Sequence, residues 1–304
     1  MNVLECENQV SRDGRMTAKI LDGKIIAQRL KDQLKEEVDV LKKKHGRGPR
    51  LVNVMIGDNH SACAYANSQK KVAEYIGIEY DLLNLSTEIT QEEFIEEIKK
   101  LNSDSAVNGI MIHKPIPEHI DYSKVADFVD INKDLEGINV ANIGKMILDQ
   151  TKIIPCTPAS CMEHIRSSGI NLRGKEAVIV GHSTIVGKPL SLLLLNEYAT
   201  VTVCHIATSE AGKLVEHIQK ADLLVVAVGK PGLIKGDWIK PGAVVIDVGI
   251  NRVDSKIVGD VEFDSAKNNA GYITPVPGGV GPVTVVMLMR NGIEAFKVQI
   301  RGKE

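Results

Sequence analysis

The sequence predicts a two-domain α/β protein built on parallel sheets, and three observations carry that prediction. Its 304 residues exceed the usual span of one domain, and 43% hydrophobic with 25% charged residues is the composition of a chain that can bury two cores. From residue 25 to residue 112, apolar runs of strand length alternate with amphipathic helical stretches, the order that yields a parallel sheet. At residues 176 to 189, EAVIVGHSTIVGKP, an apolar run stops at a glycine turn and restarts as a helix, which builds a cradle for phosphate.

Residues 1 to 16 carry no periodic pattern and read as a loose tail. From 25 to 44, Ile26, Leu30, Leu34 and Val38 recur at helical spacing toward a lysine-rich end, and the glycine and proline of HGRGP stop the helix. LVNVMI at 51 to 56 reads as a buried strand, followed by a helix from 61 to 76 that ends at Gly77 and a strand from 79 to 85. Thr90 opens an amphipathic helix to residue 101, with Glu92 and Glu93 in its first turn, and 109 to 112 is a short strand running into His113, Lys114 and Pro115. Residues 129 to 142, with the turn DINKDLEGIN, are polar and irregular enough to line a cleft. Pro155, Thr157 and Pro158 then punctuate the chain, so the first domain is assigned to residues 17 to 154 and the second to 155 to 283.

The second half opens with a helix from 159 to 168 and continues as a Rossmann-like series of strands at 177 to 180, 200 to 204, 223 to 228 and 244 to 248. Helices follow the first two strands, and a compact turn, KPGLIKGDWIKPG, precedes the fourth. The glycine-proline run TPVPGGVGPVT at 274 to 284 forms a rigid loop suited to close backbone approach, and a final helix covers 284 to 298. In the cradle, Gly181 permits the sharp turn, Ser183 offers a hydroxyl, and Gly187 lets the next helix start close to the strand with its free N–H groups toward an anion.

Charge and composition narrow the function. A net charge of −2, with lysines interspersed among glutamates, gives no electrostatic footing for nucleic acid or an anionic membrane. Neither a membrane-spanning run nor a signal-peptide core is present, so a cytoplasmic location is expected. The five cysteines are scattered and read as reduced thiols, and no metal site is predicted.

With these residues assembled, the chain resembles the methylenetetrahydrofolate dehydrogenase/cyclohydrolase family over nearly its whole length from Ile20. The resemblance rests on TPVPGGVGPVT, on PCTP at 155 to 158, on the GxSxxxGxP cradle, on KPGAVVIDVGIN at 240 to 251, on GDV at 259 to 261, and on Tyr65 with QKKVAEYIGI behind it. It implies a folate-facing first domain to which the last helix returns, a dinucleotide-binding second domain, a cleft between them, and a homodimer. By the same resemblance, Tyr65 stacks on or hydrogen-bonds a pterin, Glu136 holds its amino-pyrimidine edge, and the loop of residues 276 to 281 shapes the opposite wall. The pyrophosphate of a nicotinamide dinucleotide is expected over Gly181, His182, Ser183, Ile185 and Gly187, its adenosine ribose near His205 and Ile206, and its nicotinamide near Gly249, Ile250, Pro277, Gly278 and Gly279.

Three pocket positions depart from the family pattern. Gln69 stands where the family has a lysine, and Lys70 cannot replace it, since it points about 140° away from Tyr65 at about 100° per residue. His113 replaces a glutamine and Glu136 an aspartate. Hydride transfer asks mainly for geometry, whereas hydrolysis of a methenyl cation requires a group that takes a proton from water, which Gln69 cannot do. The first expectation is therefore oxidation of 5,10-methylenetetrahydrofolate with weak or absent cyclohydrolase activity. A non-catalytic regulatory relative, an enzyme of this fold with another substrate, and an ordinary bifunctional enzyme that has recruited His113 all stay open. NAD is expected over NADP, because His182 and Ile206 stand where NADP users of the family carry Arg and commonly Ser. The second strand also lacks the terminal carboxylate usual for NAD, so NADP stays open as well.

Overall fold

The computed structural model describes residues 17 to 301; the tail expected over residues 1 to 16 lies outside the described residues. The chain forms two compact units. One holds Ala27–Cys156 and the chain from Thr284 onward, the other holds the residues up to Ile26 and Thr157–Val283.

The chain enters through β1 (Lys19–Ile20) and α1 (Gly23–His45). It continues through β2 (Arg50–Ile56), α2 (His60–Ile76), β3 (Glu79–Leu85), α3 (Gln91–Ser103), β4 (Gly109–Ile112), α4 (Tyr122–Ala126) and α5 (Val140–Ile147). β2 lies between β3 and β4 and runs parallel to both, with Val52 facing Asp81 on one side and Ile110 on the other. Every β2 residue after Arg50 is buried, as a central parallel strand requires. Phe94 and Ile98, one turn apart on α3, are fully buried with Val52, Val54 and Ile110. The expected helix boundaries have local causes. Asn59 caps α2 by accepting from the Ala62 N–H at 3.1 Å, Gly77 ends it in the left-handed region at φ 90°, and Thr90 and Glu93 form a capping box at the start of α3. The segment expected to be irregular over 129 to 142 contains the start of α5, which Asn139 caps by accepting from the Ala141 N–H at 2.9 Å.

The other unit follows with α6 (Cys156–Ser168), β5 (Glu176–Val180), α7 (Gly187–Asn196), β6 (Thr200–Cys204), α8 (Ile206–Glu210), α9 (Leu214–Lys220), β7 (Leu223–Val226), β8 (Val244–Asp247), the hairpin β9 (Asn251–Val253) and β10 (Lys256–Val258), α10 (Phe263–Ala266) and β11 (Tyr272–Ile273). The last helix is α11 (Val280–Arg301). A six-stranded parallel sheet has the order β1-β11-β8-β7-β5-β6. Along β5, Ala177 and Ile179 join a core with Leu190 and Leu194, whereas Val178 and Val180 join the opposite one with Leu224 and Val226. This alternation is why the strand reads as unbroken apolar sequence. The chain leaves β5 for β6 on one side and returns to β7 on the other, which opens a crevice at the carboxyl ends of β5 and β7.

Two boundaries differ from those expected. Residues 17 to 26 were assigned with the first domain, but β1 pairs in parallel with β11, Leu21 donates to the Ile273 carbonyl at 2.8 Å, and Ala18 and Leu21 bury in the cores of the six-stranded sheet. A two-residue strand has no periodicity for a sequence to display. The final helix starts at Val280 rather than 284, within the glycine-proline run; Pro282 is tolerated there because the first helical N–H groups need no intrahelical acceptor. Among the described residues, no helix is long and apolar enough to cross a membrane.

Candidate active site

In the first-described unit the candidate residues gather where β2 and β4 end. His113 follows β4 directly and donates its backbone N–H to the Val54 carbonyl at 2.8 Å. Its side chain is 2% exposed, burial lowers its pKa, and Nε2 has no hydrogen-bond partner. The ring meets Tyr65 edge-to-face, centroids 5.9 Å apart at 78°. Tyr65 is 39% exposed, yet burial still pushes its hydroxyl above the ordinary value, with the Gln69 amide opposing.

Gln69, one helical turn beyond Tyr65, is fully buried. Its Oε1 accepts from Tyr80 Oη at 2.9 Å and from the Asn53 amide, and its Nε2 points to the Met111 sulfur at 3.5 Å. Burial raises the Tyr80 hydroxyl to about 12, so this cluster carries no charge at neutral pH. Both Asn53 and Tyr80 escaped the sequence reading, although a lone amide inside the apolar run LVNVMI was a visible signal.

Glu136 sits in a turn held from two sides. Asp134 accepts from the N–H groups of Gly137 and Asn139, both at 2.9 Å, and Asn291 of α11 donates to the Leu135 and Ile154 carbonyls, both at 2.8 Å. Burial raises the Glu136 carboxyl to about 7, with the Tyr122 hydroxyl, at 3.1 Å from Oε2, working in the opposite sense; Asp134 adds to the rise and Lys114 reduces it. Lys114 Nζ lies 3.7 Å from the centre of the Tyr122 ring. Tyr122 was missed because nothing in its polar surroundings marks it.

In the other unit, the cradle is formed by backbone. Gly181 adopts φ 127°, and a Cβ there would overlap the Ala227 carbonyl oxygen; a Cβ at Gly187 would overlap the carbonyl oxygen of Gly181. The Ser183 hydroxyl accepts from the Val186 N–H at 3.1 Å, and His182, Ser183, Thr184 and Ile185 are all exposed. With no Cβ at Gly181 or Gly187 the backbone stays close at the start of α7, which leaves room for a pyrophosphate there, so the residues present fit a dinucleotide. His182 and His205, from the ends of β5 and β6, bring their rings to 5.3 Å, and Ile206 beside them is 71% exposed. Gly249 and the 70%-exposed Ile250 follow β8. In the 277 to 279 loop, Gly278 adopts φ 103° and accepts from the Gly23 N–H at 2.9 Å.

Comparison with known proteins finds relatives along both units. Residues 21–136 match the family described as tetrahydrofolate dehydrogenase/cyclohydrolase, catalytic domain, and residues 155–300 match its NAD(P)-binding domain. The bifunctional protein FolD of Acetivibrio thermocellus is 50% identical over 289 residues, covering 95% of this chain and 100% of that protein. Among solved structures, a bifunctional methylenetetrahydrofolate dehydrogenase/cyclohydrolase from Campylobacter jejuni superposes with a TM-score of 0.88 at 41% identity, covering 92% of this chain and 99% of that one. The Trypanosoma brucei dehydrogenase-cyclohydrolase, solved with NADP and an inhibitor, gives 0.87 at 38% identity, covering 94% and 99%.

Proposed function

The chain belongs to the tetrahydrofolate dehydrogenase/cyclohydrolase family, and on that premise we propose that it oxidises 5,10-methylenetetrahydrofolate to the methenyl form and hydrolyses that product to 10-formyltetrahydrofolate. The observation that carries the reading is the cluster of Tyr65, His113 and Glu136, which offers an aromatic face, a buried imidazole with a free nitrogen, and a carboxyl group of pKa about 7. The bifunctional relatives favour this reading over the one expected from Gln69 alone.

Tyr65 packs on the pterin, and Glu136 accepts hydrogen bonds from its amino-pyrimidine edge. A nicotinamide dinucleotide held over Gly181 and Gly187 supplies the hydride acceptor. In hydrolysis, His113 takes a proton from the water whose oxygen bonds to the methenyl carbon. It then returns that proton to the ring nitrogen released as the carbon–nitrogen bond breaks, while the remaining hydroxyl proton passes to solvent as the formyl carbonyl forms. Burial keeps this imidazole neutral and so able to accept.

A second reading, dehydrogenation with little hydrolysis, draws on Gln69: it stands where the family resemblance leads one to expect lysine, cannot titrate, and has its amide engaged by Asn53, Tyr80 and Met111. We also propose a preference for NAD, since neither His182 nor the exposed Ile206 offers the bidentate guanidinium that suits a 2′-phosphate. A homodimer is the proposed assembly, and the open edge of β6 with exposed Leu195 and Tyr198 nearby offers a surface for it. Mixing the protein with methylenetetrahydrofolate and either cofactor, while following the rise and decay of methenyl absorbance, tests both activities and the cofactor preference.

A further inference from the structure

Two buried acids that the candidate site does not use lie against each other at the carboxyl edge of the six-stranded sheet. Asp247, at the end of β8, is 3% exposed, and Asp260, after β10, is fully buried. Both are balanced by N–H donors. Asp247 Oδ1 accepts from Gly249 at 2.9 Å and from the Asp260 N–H at 3.0 Å, and Oδ2 accepts from Val261 at 2.9 Å. Asp260 Oδ2 accepts from Val228 at 2.7 Å and Gly229 at 3.0 Å, and Oδ1 from the Asn251 amide at 2.9 Å. The packing admits no side chain between them: a Cβ on Gly249 would overlap the Asp260 carboxyl, and one on Gly259 would overlap that of Asp247.

What these acids hold is the carboxyl edge of the sheet. Val228 and Gly229 follow β7 directly after Ala227, whose carbonyl lies against Gly181, so Asp260 fixes the backbone on the far side of the crevice from the cradle. Asp247 fixes Gly249 at the neighbouring strand end. The side chains carried by these pinned segments, Val228 at 39% and Ile250 at 70% exposure, stand open at that edge.

We infer that Asp260, seated on Asp247, is a positioning residue for the dinucleotide: it sets the Val228–Gly229 turn and, through Asp247, Gly249 at the distance the cradle requires. The inference rests on the dinucleotide reading of this unit and deepens it. A carboxylate is needed because all three groups facing Asp260 are donors; the amide of an asparagine would turn its own N–H groups toward at least one of them.

The test is calorimetric titration of the full chain with NAD and with NADP. Asp260→Asn is expected to weaken binding of the preferred cofactor at least about tenfold, and Asn251→Ala, which removes one donor at a half-exposed place, about threefold. Asp222→Asn serves as the control, because Asp222 pairs with Lys240 at 2.7 Å at the opposite, amino end of β7; it is expected to leave binding within about twofold. A folded Asp260→Asn protein with wild-type affinity overturns the inference, as does an equal loss in Asp222→Asn. If Asp260→Asn does not fold, unchanged affinity in Asn251→Ala overturns it. Failure of the proposed reaction is read from turnover, and failure of this inference from dissociation constants, so the two are distinguishable.

Discussion

The Tyr122 hydroxyl donates to Glu136 Oε2 at 3.1 Å, yet burial still holds the Glu136 carboxyl near 7. A carboxyl whose folded pKa lies above its unfolded value of about 4.3 is charged in the unfolded chain, where the folded state resists the charge; the fold is penalised above about 7, and the penalty fades as pH falls toward about 4.3. Glu136→Gln is therefore expected to raise the melting temperature at pH 8, by an amount equivalent to at most about 4 kcal/mol, and to give no gain near pH 4. Melting curves across that range check it.

The same group gives folate binding a pH dependence of the opposite sense. An amino-pyrimidine edge presents N–H donors and requires the carboxylate, so affinity should fall as pH drops through about 7 in the wild type. In Glu136→Gln the affinity should be weaker and nearly flat with pH. Fluorescence titration with a folate from pH 6 to pH 8 measures both, and a flat wild-type profile would count against Glu136 as the contact.

Gly187→Ala puts a methyl group where the Gly181 carbonyl oxygen lies. The helix start must then move away from β5, and dinucleotide binding is expected to weaken by at least about tenfold. Folate binding, proposed for Tyr65 and Glu136 of the other unit, is expected to change far less; calorimetry with each ligand separates the two.

Asn291 ties the Glu136 turn to α11 through the Leu135 and Ile154 carbonyls and accepts from the Ile154 N–H at 3.3 Å. Asn291→Ala leaves these groups buried without partners, at a cost of about 2–4 kcal/mol by denaturant unfolding.

Much of the fold was legible because parallel strands and their helices announce themselves locally. β5 is apolar on both faces, Gly77 takes a left-handed conformation that favours glycine, and Thr90 with Glu93 closes a capping box within four residues. What escaped depends on distant partners. β1 is a strand only because β11 offers it an edge, and the β9–β10 hairpin turns on Asp254 and Ser255, both at positive φ without the usual glycine. Tyr65, Gln69, His113 and Glu136 are candidates on family motifs alone, and no local pattern displays the setting of Gln69. Asn53 and Tyr80 come from other strands, and only the folded sheet brings them to its amide.

Hydrolysis without a lysine at position 69, through His113, is the proposed chemistry. The most direct measurement is the decay of methenyltetrahydrofolate absorbance with wild type, His113→Gln and Gln69→Lys, against the uncatalysed rate in the same buffer. Wild-type decay well above that rate is expected, with a fall of about a hundredfold in His113→Gln and little change in dehydrogenation. Wild-type decay at the uncatalysed rate, rising only when Gln69→Lys supplies a base, would contradict it.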